Sequence, residues 1–242
     1  MLSKNQIKLI KSLTQKKIRQ QLGLFIVEGI KGIEEFLNSD FVLENLYTTK
    51  PIFDNNEAVI ISQNDLKKIS SLKNPNTALA VFRIPNATKI NEKGLIIALD
   101  DVRDPGNLGT IIRLCDWFGV KDLVCSPTTV DCYNPKVVQA SMGSLTRVNV
   151  SYLDLKDFIS STSSDVFGTF MEGENIYKTQ LPENGVVVLG NEANGISEAI
   201  KSIVKMKITI PQYGDVNSTE SLNVANAAAI VLSEFRRSAI EK

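Results

Sequence analysis

Five polar residues stand where this chain's pattern would place a reactive site. Asn107 and Arg113 follow the apolar run 95–99, Glu192 follows 186–189, and Ser221 and Asn223 follow 207–210. The run 95–99 is the mark of a strand covered on both faces, the other two segments read as strands, and in open α/β sheets the loops at the carboxyl ends of strands line the ligand crevice. The set offers a guanidinium, a carboxylate, two amides and a hydroxyl. It lacks an imidazole, because the chain contains no histidine. That excludes Ser-His-Asp and Cys-His catalysis, an imidazole general base and His-ligated zinc.

The three stretches that carry these residues read differently. Residues 95–120 spell strand, loop and helix: a polar loop over 100–109, with Pro105, Gly106 and Gly109 as turn residues, then a helical pattern over 110–118. Taken alone, a surface turn with a solvated arginine explains this stretch equally well. In residues 190–197, GNEANGIS, a glycine at the strand end permits close approach of a ligand to the backbone. A tight turn with an acid near a helix start accounts for Gly195 and Ser197 but leaves Glu192 without a reason. The third stretch ends a strand at Ile210-Pro211, continues as an irregular polar loop, and begins a helix at 221–223 whose alanines permit close packing.

The elements needed to hold these groups are legible elsewhere in the chain. Beyond residue 95, strands are expected at 95–99, 122–125, 147–150, 166–170, 186–189 and 207–210, with helices at 110–118, 135–145, 153–160, 197–204 and 221–237. This is an α/β domain, a mostly parallel sheet with helices on both faces. Before it, apolar runs at 24–27, 42–47, 58–61 and 78–82, with helical patterns at 30–37 and 65–72, make a small α/β unit. The polar stretch 86–94 has the composition of a linker, so the expected division is 1–85, 86–94 and 95–242. No G-x-G-x-x-G or G-x-x-x-x-G-K-[ST] follows any strand, so the usual nucleotide fingerprints are missing.

Composition narrows the class. The 242 residues are 43% hydrophobic, enough for a real core, and 27 basic residues balance 27 acidic ones. Any nucleic-acid contact must then rest on local patches. The strongest is at the amino terminus, where Lys4, Lys8, Lys11, Lys16, Lys17 and Arg19 precede the first acidic residue, Glu28. Lys4, Lys8 and Lys11 fit one face of an amphipathic helix with Ile7, Ile10 and Leu13 inward. A solvated face and an RNA-binding face both satisfy that pattern. No apolar run is long enough for a membrane span and no signal peptide is apparent, and three cysteines form no C-x-x-C pair. A cytoplasmic protein, bound to neither membrane nor metal, is expected.

Together the stretches resemble the three motifs of the SpoU (TrmH-type) branch of the SPOUT methyltransferase superfamily. These are N-x-G-x-x-x-R at 107–113, L-G-x-E-x-x-G-[IM] at 189–196, and I-P at 210–211 followed by S-L-N-V-[AS] at 221–225. The K-K-x-R and G-L-F-I-V-E-G of residues 16–29 are similar to that family's amino-terminal substrate-binding domain. The resemblance implies a SPOUT domain with a carboxyl-terminal trefoil knot, preceded by a small α/β (L30e-like) RNA-binding domain. It also implies a homodimer and S-adenosyl-L-methionine-dependent methylation of a ribose 2′-hydroxyl in RNA. The extra amino-terminal domain favours ribosomal RNA; a tRNA methyltransferase and a non-catalytic RNA-binding protein of the same fold are the alternatives.

Carried onto this sequence, the resemblance gives Arg113 the role of clamping a phosphate and stabilising the forming alkoxide, since a guanidinium is hard to deprotonate. Asn107 and Glu192 would orient Arg113 and the ribose, and Ser221 and Asn223 would fix the loop and the substrate. Gly190, Ile210 and Leu222 would offer backbone groups and apolar surface to the cofactor. Lys16, Lys17 and Arg19 would meet RNA. The segment between Ile210 and Ser221 is longer than the family's usual loop.

Overall fold

The computed structural model describes residues 2–54, 56–75, 77–214 and 221–240, the last three without their side chains. In chain order its elements are α1 (Lys4–Ser12), α2 (Lys16–Leu22), β1 (Leu24–Glu28), α3 (Ile30–Leu37), β2 (Leu43–Thr48), β3 (Ala58–Ile60), α4 (Gln63–Ile69) and β4 (Ala78–Arg83). There follow β5 (Leu95–Leu99), α5 (Pro105–Trp117), β6 (Asp122–Cys125), α6 (Pro135–Ser141), β7 (Asn149–Tyr152), α7 (Leu155–Ser161), β8 (Val166–Asn175), β9 (Gly185–Leu189), α8 (Glu198–Lys201), β10 (Met206–Thr209) and α9 (Val224–Ile240).

The chain divides into two compact units, Met1–Ala87 with Asp131–Thr146, and Thr88–Val130 with Arg147–Lys242. In the first unit the sheet order is β1-β4-β2-β3. Helix α1 begins with a reciprocal cap: the Gln6 N–H donates to Ser3 Oγ at 3.2 Å and the Ser3 N–H donates to Gln6 Oε1 at 2.9 Å. Its lysines face out while Ile10 and Leu13 are buried with Ile26, Leu66 and Leu79. The segment Asp131–Thr146 completes this unit: Tyr133 packs 4.7 Å from Phe25, and Asp131 pairs with Arg19.

The second unit is a six-stranded sheet in the order β10-β8-β9-β5-β6-β7, parallel at every pairing. Strands β5, β6 and β9 are buried along their whole length, and β5 and β9 carry the continuous apolar runs expected when helices cover both faces. Strand β8 runs to Asn175, past the expected 166–170, because its ladder with β10 jumps from Gly168 to Glu174. Residues 169–173 are displaced there, and a Cβ on Gly173 would stand 2.7 Å from the Lys207 carbonyl oxygen.

Several helices depart from the expected bounds: α8 ends at Lys201 where 197–204 is expected, α9 starts at Val224 and not at 221, and two others differ for local reasons. The helical pattern 135–145 stops at Ser141 because Met142 takes the left-handed conformation, φ 52°, as the cap of α6. More consequentially, α5 begins at Pro105 and not at residue 110. Asp104 is its N-cap, accepting the Asn107 N–H at 2.8 Å, and proline at the first helical position needs no hydrogen-bond partner. Asn107 therefore lies in the first turn of the helix and Arg113 well along it.

Candidate active site

The loop after β9 is shaped by the chain's own backbone. A Cβ on Gly190 would stand 2.2 Å from the Gly195 carbonyl carbon and 2.3 Å from the Ile196 nitrogen, so only glycine lets the loop fold back here. The close approach expected of a ligand at Gly190 is made by Gly195 and Ile196. Asn191 and Gly195 exchange backbone hydrogen bonds at 2.9 and 2.8 Å, and Gly195 closes the turn with φ +67°. Glu192 then faces the start of α5.

Three of the expected residues form a directed hydrogen-bond relay. Asn107 Nδ2 donates to Glu192 Oε1 at 2.5 Å, and Asn223 Nδ2 donates to Asn107 Oδ1 at 3.0 Å. The Asn223 Oδ1 in turn accepts the N–H groups of Ala225 and Asn226 at 3.0 and 3.3 Å, capping α9. Direction follows from both ends. An ionised carboxylate only accepts, which forces the Asn107 amide group toward Glu192 and leaves its oxygen for Asn223. The helix N–H groups only donate, which holds the Asn223 oxygen on α9 and presents its amide to Asn107. Neither asparagine can flip without losing a bond.

Beside this relay, at the carboxyl ends of β8, β9 and β10, lies a cleft of about 1060 Å³. Gly190, Glu192, Ile210, Ser221 and Leu222 all line it. Displaced residues of β8 form one wall, where Lys207 Nζ sits 5.4 Å from the centre of the Phe170 ring, and Ala227 and Val231 of α9 also face the space. Residues 215–220, most of the longer segment noted in the sequence, lie outside the described residues.

Arg113 is not brought to this site. It is exposed on α5, makes no hydrogen bond or ion pair among the described residues, and does not line the cleft. Six residues along an α-helix amount to roughly 9 Å and about 120° of net rotation, so Arg113 and Asn107 face different directions. Asn107 and Glu192 bond to each other and do not orient Arg113 within this chain. Trp117, one turn beyond Arg113, is 85% exposed.

At the amino terminus Lys16 and Lys17 are exposed, but Arg19 is buried, which corrects its expected place on an RNA-binding face. Its Nε donates to Asp131 at 3.0 Å, and its Nη1 donates to the carbonyls of Leu13 and Thr14 at 2.8 and 2.9 Å. All its polar capacity is turned inward.

The groups that anchor the Glu192 loop lie outside the set expected from sequence. Asp100, buried at the end of β5, accepts the Ser197 N–H at 2.8 Å, and the Asp101 carbonyl accepts Asn191 Nδ2 at 2.7 Å. The available signal was an aspartate directly after a fully apolar run, which must find donors if the strand end is buried.

The profile of the SpoU rRNA Methylase family matches residues 94–233. The chain belongs to the SpoU rRNA methylase family. Residues 4–80 match an MRM3-like substrate binding domain. Among solved structures, a TrmH-family protein from Porphyromonas gingivalis is 38% identical and superposes with a TM-score of 0.90, covering 98% of this chain and 99% of that one. The AdoMet-bound rRNA methyltransferase from Sinorhizobium meliloti is 27% identical with a TM-score of 0.85, covering 98% and 97%. The 23S rRNA (guanosine(2553)-2′-O)-methyltransferase RlmP of Bacillus subtilis is 28% identical over 97% of both chains.

The cofactor of this SpoU family member is S-adenosyl-L-methionine, and the residues present fit it. The cleft lies at the upper end of the roughly 300–1,000 Å³ typical of small-molecule sites. Leu189, Ile208, Leu222 and Val231 supply apolar surface for an adenine ring, with loop backbone at Gly190 and Ile210 beside them.

Proposed function

We propose that this protein transfers a methyl group from S-adenosyl-L-methionine to a ribose 2′-hydroxyl of ribosomal RNA. The observation that carries the reading is the Asn223–Asn107–Glu192 relay at the edge of a cofactor-sized cleft, built from all three SpoU motifs. A ribose hydroxyl is a weak nucleophile, so the protein must place it in line and stabilise the charge that develops on its oxygen. The bound cofactor supplies the electrophilic methyl group. Glu192 and Asn107 present a fixed acceptor and a fixed amide for orienting the ribose, while Ser221 and Asn223 hold the start of α9 against them. Arg113 clamps an RNA phosphate and stabilises the alkoxide, and the proton leaves through water.

The reading includes a homodimer in which Arg113 completes the partner's site. Support comes from the direction of Arg113, away from its own relay, and from exposed Trp117 on the same face of α5. It also includes the trefoil thread, supported by the tie of loop 190–197 to Asp100 and Asp101 and by the return of α9 against α5. Cys115, Cys125 and Cys132 are buried and in no disulfide, which suits a reducing cytoplasm.

Mapping 2′-O-methyl positions in ribosomal and transfer RNA, with and without the gene, tests the reaction. Loss of a site in ribosomal RNA is expected; loss only in tRNA moves the substrate, and no loss anywhere leaves a binding protein. Arg113→Ala should abolish methylation with the fold intact, and lysine, lacking the planar fork, should not rescue it. Mixed with strongly slowed Glu192→Ala protomers, Arg113→Ala should regain about a quarter of wild-type activity, because half of random dimers are mixed and each has one intact composite site. A fully active monomer would refute the shared site.

A further inference from the structure

Glu192 owes its position to its neighbour. The side-chain oxygen of Asn191 accepts the N–H groups of Ala193 and Asn194 at 2.8 and 3.2 Å, standing in for a backbone carbonyl in the turn. Its backbone pairs both ways with Gly195, and its Nδ2 reaches out of the loop to the Asp101 carbonyl at 2.7 Å. Asp101 is itself held: it has φ +62°, its N–H donates to Ser126 Oγ at 2.9 Å, and its carboxylate accepts Arg103 Nε at 2.9 Å. Aspartate tolerates that left-handed conformation better than most residues. At the far end of the loop Asp100 takes the Ser197 N–H. Glu192 thus hangs between two anchored ends while its carboxylate meets Asn107.

We propose that Asn191 is a positioning residue for methyl transfer, holding Glu192 against Asn107 by tying the loop to the left-handed Asp101 carbonyl. The proposal rests on the role given to Glu192 above. Without the tie the loop can pivot at Gly190 and Gly195, and a displacement of about 1 Å at a reacting geometry can cost about a hundredfold in rate. Ground-state binding of RNA, spread over another part of the chain, should change little.

The test is single-turnover methylation by the full-length protein, with labelled S-adenosyl-L-methionine and ribosomal RNA from cells lacking the gene. Asn191→Ala should slow the chemical step about 10- to 100-fold. The RNA concentration for half-maximal rate should stay within about threefold, a difference of less than 1 kcal/mol in binding. Asn191→Ala/Glu192→Ala should be no slower than Glu192→Ala, because a residue acting through another adds nothing once that other is gone. Asn191→Asp keeps the turn acceptor, loses the donor to Asp101 and sets a carboxylate oxygen against that carbonyl, so it should show at least the same loss even if the alanine variant folds poorly. Multiplying losses in the double variant, or wild-type speed in Asn191→Asp beside a slow Glu192→Ala, would overturn the proposal. Wild-type speed in Glu192→Ala would overturn the role of Glu192 itself.

Discussion

Arg19 offers the sharpest separation between charge that binds RNA and charge that holds the fold. Its guanidinium is 1% exposed, and its partner Asp131 is 12% exposed. Arg19→Ala leaves that carboxylate without its cation and the Leu13 and Thr14 carbonyls, where α1 gives way to α2, without their donor. Removing one member of a buried ion pair costs about 3–5 kcal/mol, because the remaining charge stays desolvated. At about 2–4 °C per kcal/mol for a chain of this size, the thermal transition of the chain should fall by about 6–20 °C. Lysine, with one ammonium in place of a fork that serves three acceptors, should recover only part of this.

The contrast is Lys17→Ala, an exposed change expected to stay within about 0.5 kcal/mol in stability. If Lys17 meets a phosphate, its loss should reduce the slope of log affinity against log salt by about 0.7–0.9. Thermal unfolding by circular dichroism and RNA binding across a salt series, on both variants, decide the matter. An Arg19→Ala protein that melts within about 3 °C of wild type, roughly the effect of 1 kcal/mol, yet has lost salt-dependent RNA affinity would refute the reasoning.

Gly190→Ala should unfold the Glu192 loop or fail to express as a folded protein, since its Cβ meets backbone and not a movable side chain; a stable variant with native cofactor affinity would contradict this. Burial pushes the Cys115 thiol and the Tyr47 and Tyr133 phenols up from ordinary values of 9.0 and 10.0, so each holds its proton to higher pH in the folded chain than in the unfolded one. Their contribution to stability is complete below about pH 9 and is lost as pH rises and the unfolded chain ionises first, so urea midpoints should decline from pH 9 upward; a flat profile to pH 11 would contradict it. With no histidine, the single-turnover rate should show no imidazole-like inflection between about pH 5 and 8, and Glu192→Gln, which still offers Asn107 an oxygen, should keep most of it. A plateau by pH 7 that vanishes in Glu192→Gln would make the carboxylate the general base.

What could be read from the sequence is what local chemistry determines. The strands 95–99 and 186–189 announce themselves because burial on both faces demands unbroken apolar runs, and motif residues follow both at the carboxyl ends of the sheet. The start of α5 is ambiguous in sequence because Asp-Pro-Gly carries turn chemistry and helix-start chemistry at once. The deciding fact, that Asp104 accepts the Asn107 N–H, is a single bond. That shift moves Arg113 from the first turns of its helix to an exposed position well along it, away from Asn107 and Glu192.

The rest was hidden by distance. Arg19 and Asp131 are 112 residues apart, and nothing in a run of lysines marks the one cation that folds inward. Asn107 and Glu192 are 85 residues apart and Asn107 and Asn223 116, so their spacing alone made them a set of polar groups without an order. The order comes from donor and acceptor arithmetic once they touch. Glu192 can only accept, the first turn of α9 can only donate, and two asparagines between them must therefore point one way. A glutamine at 107 would lengthen that chain and an aspartate would set carboxylate against carboxylate. The amide at this position is demanded by its two neighbours.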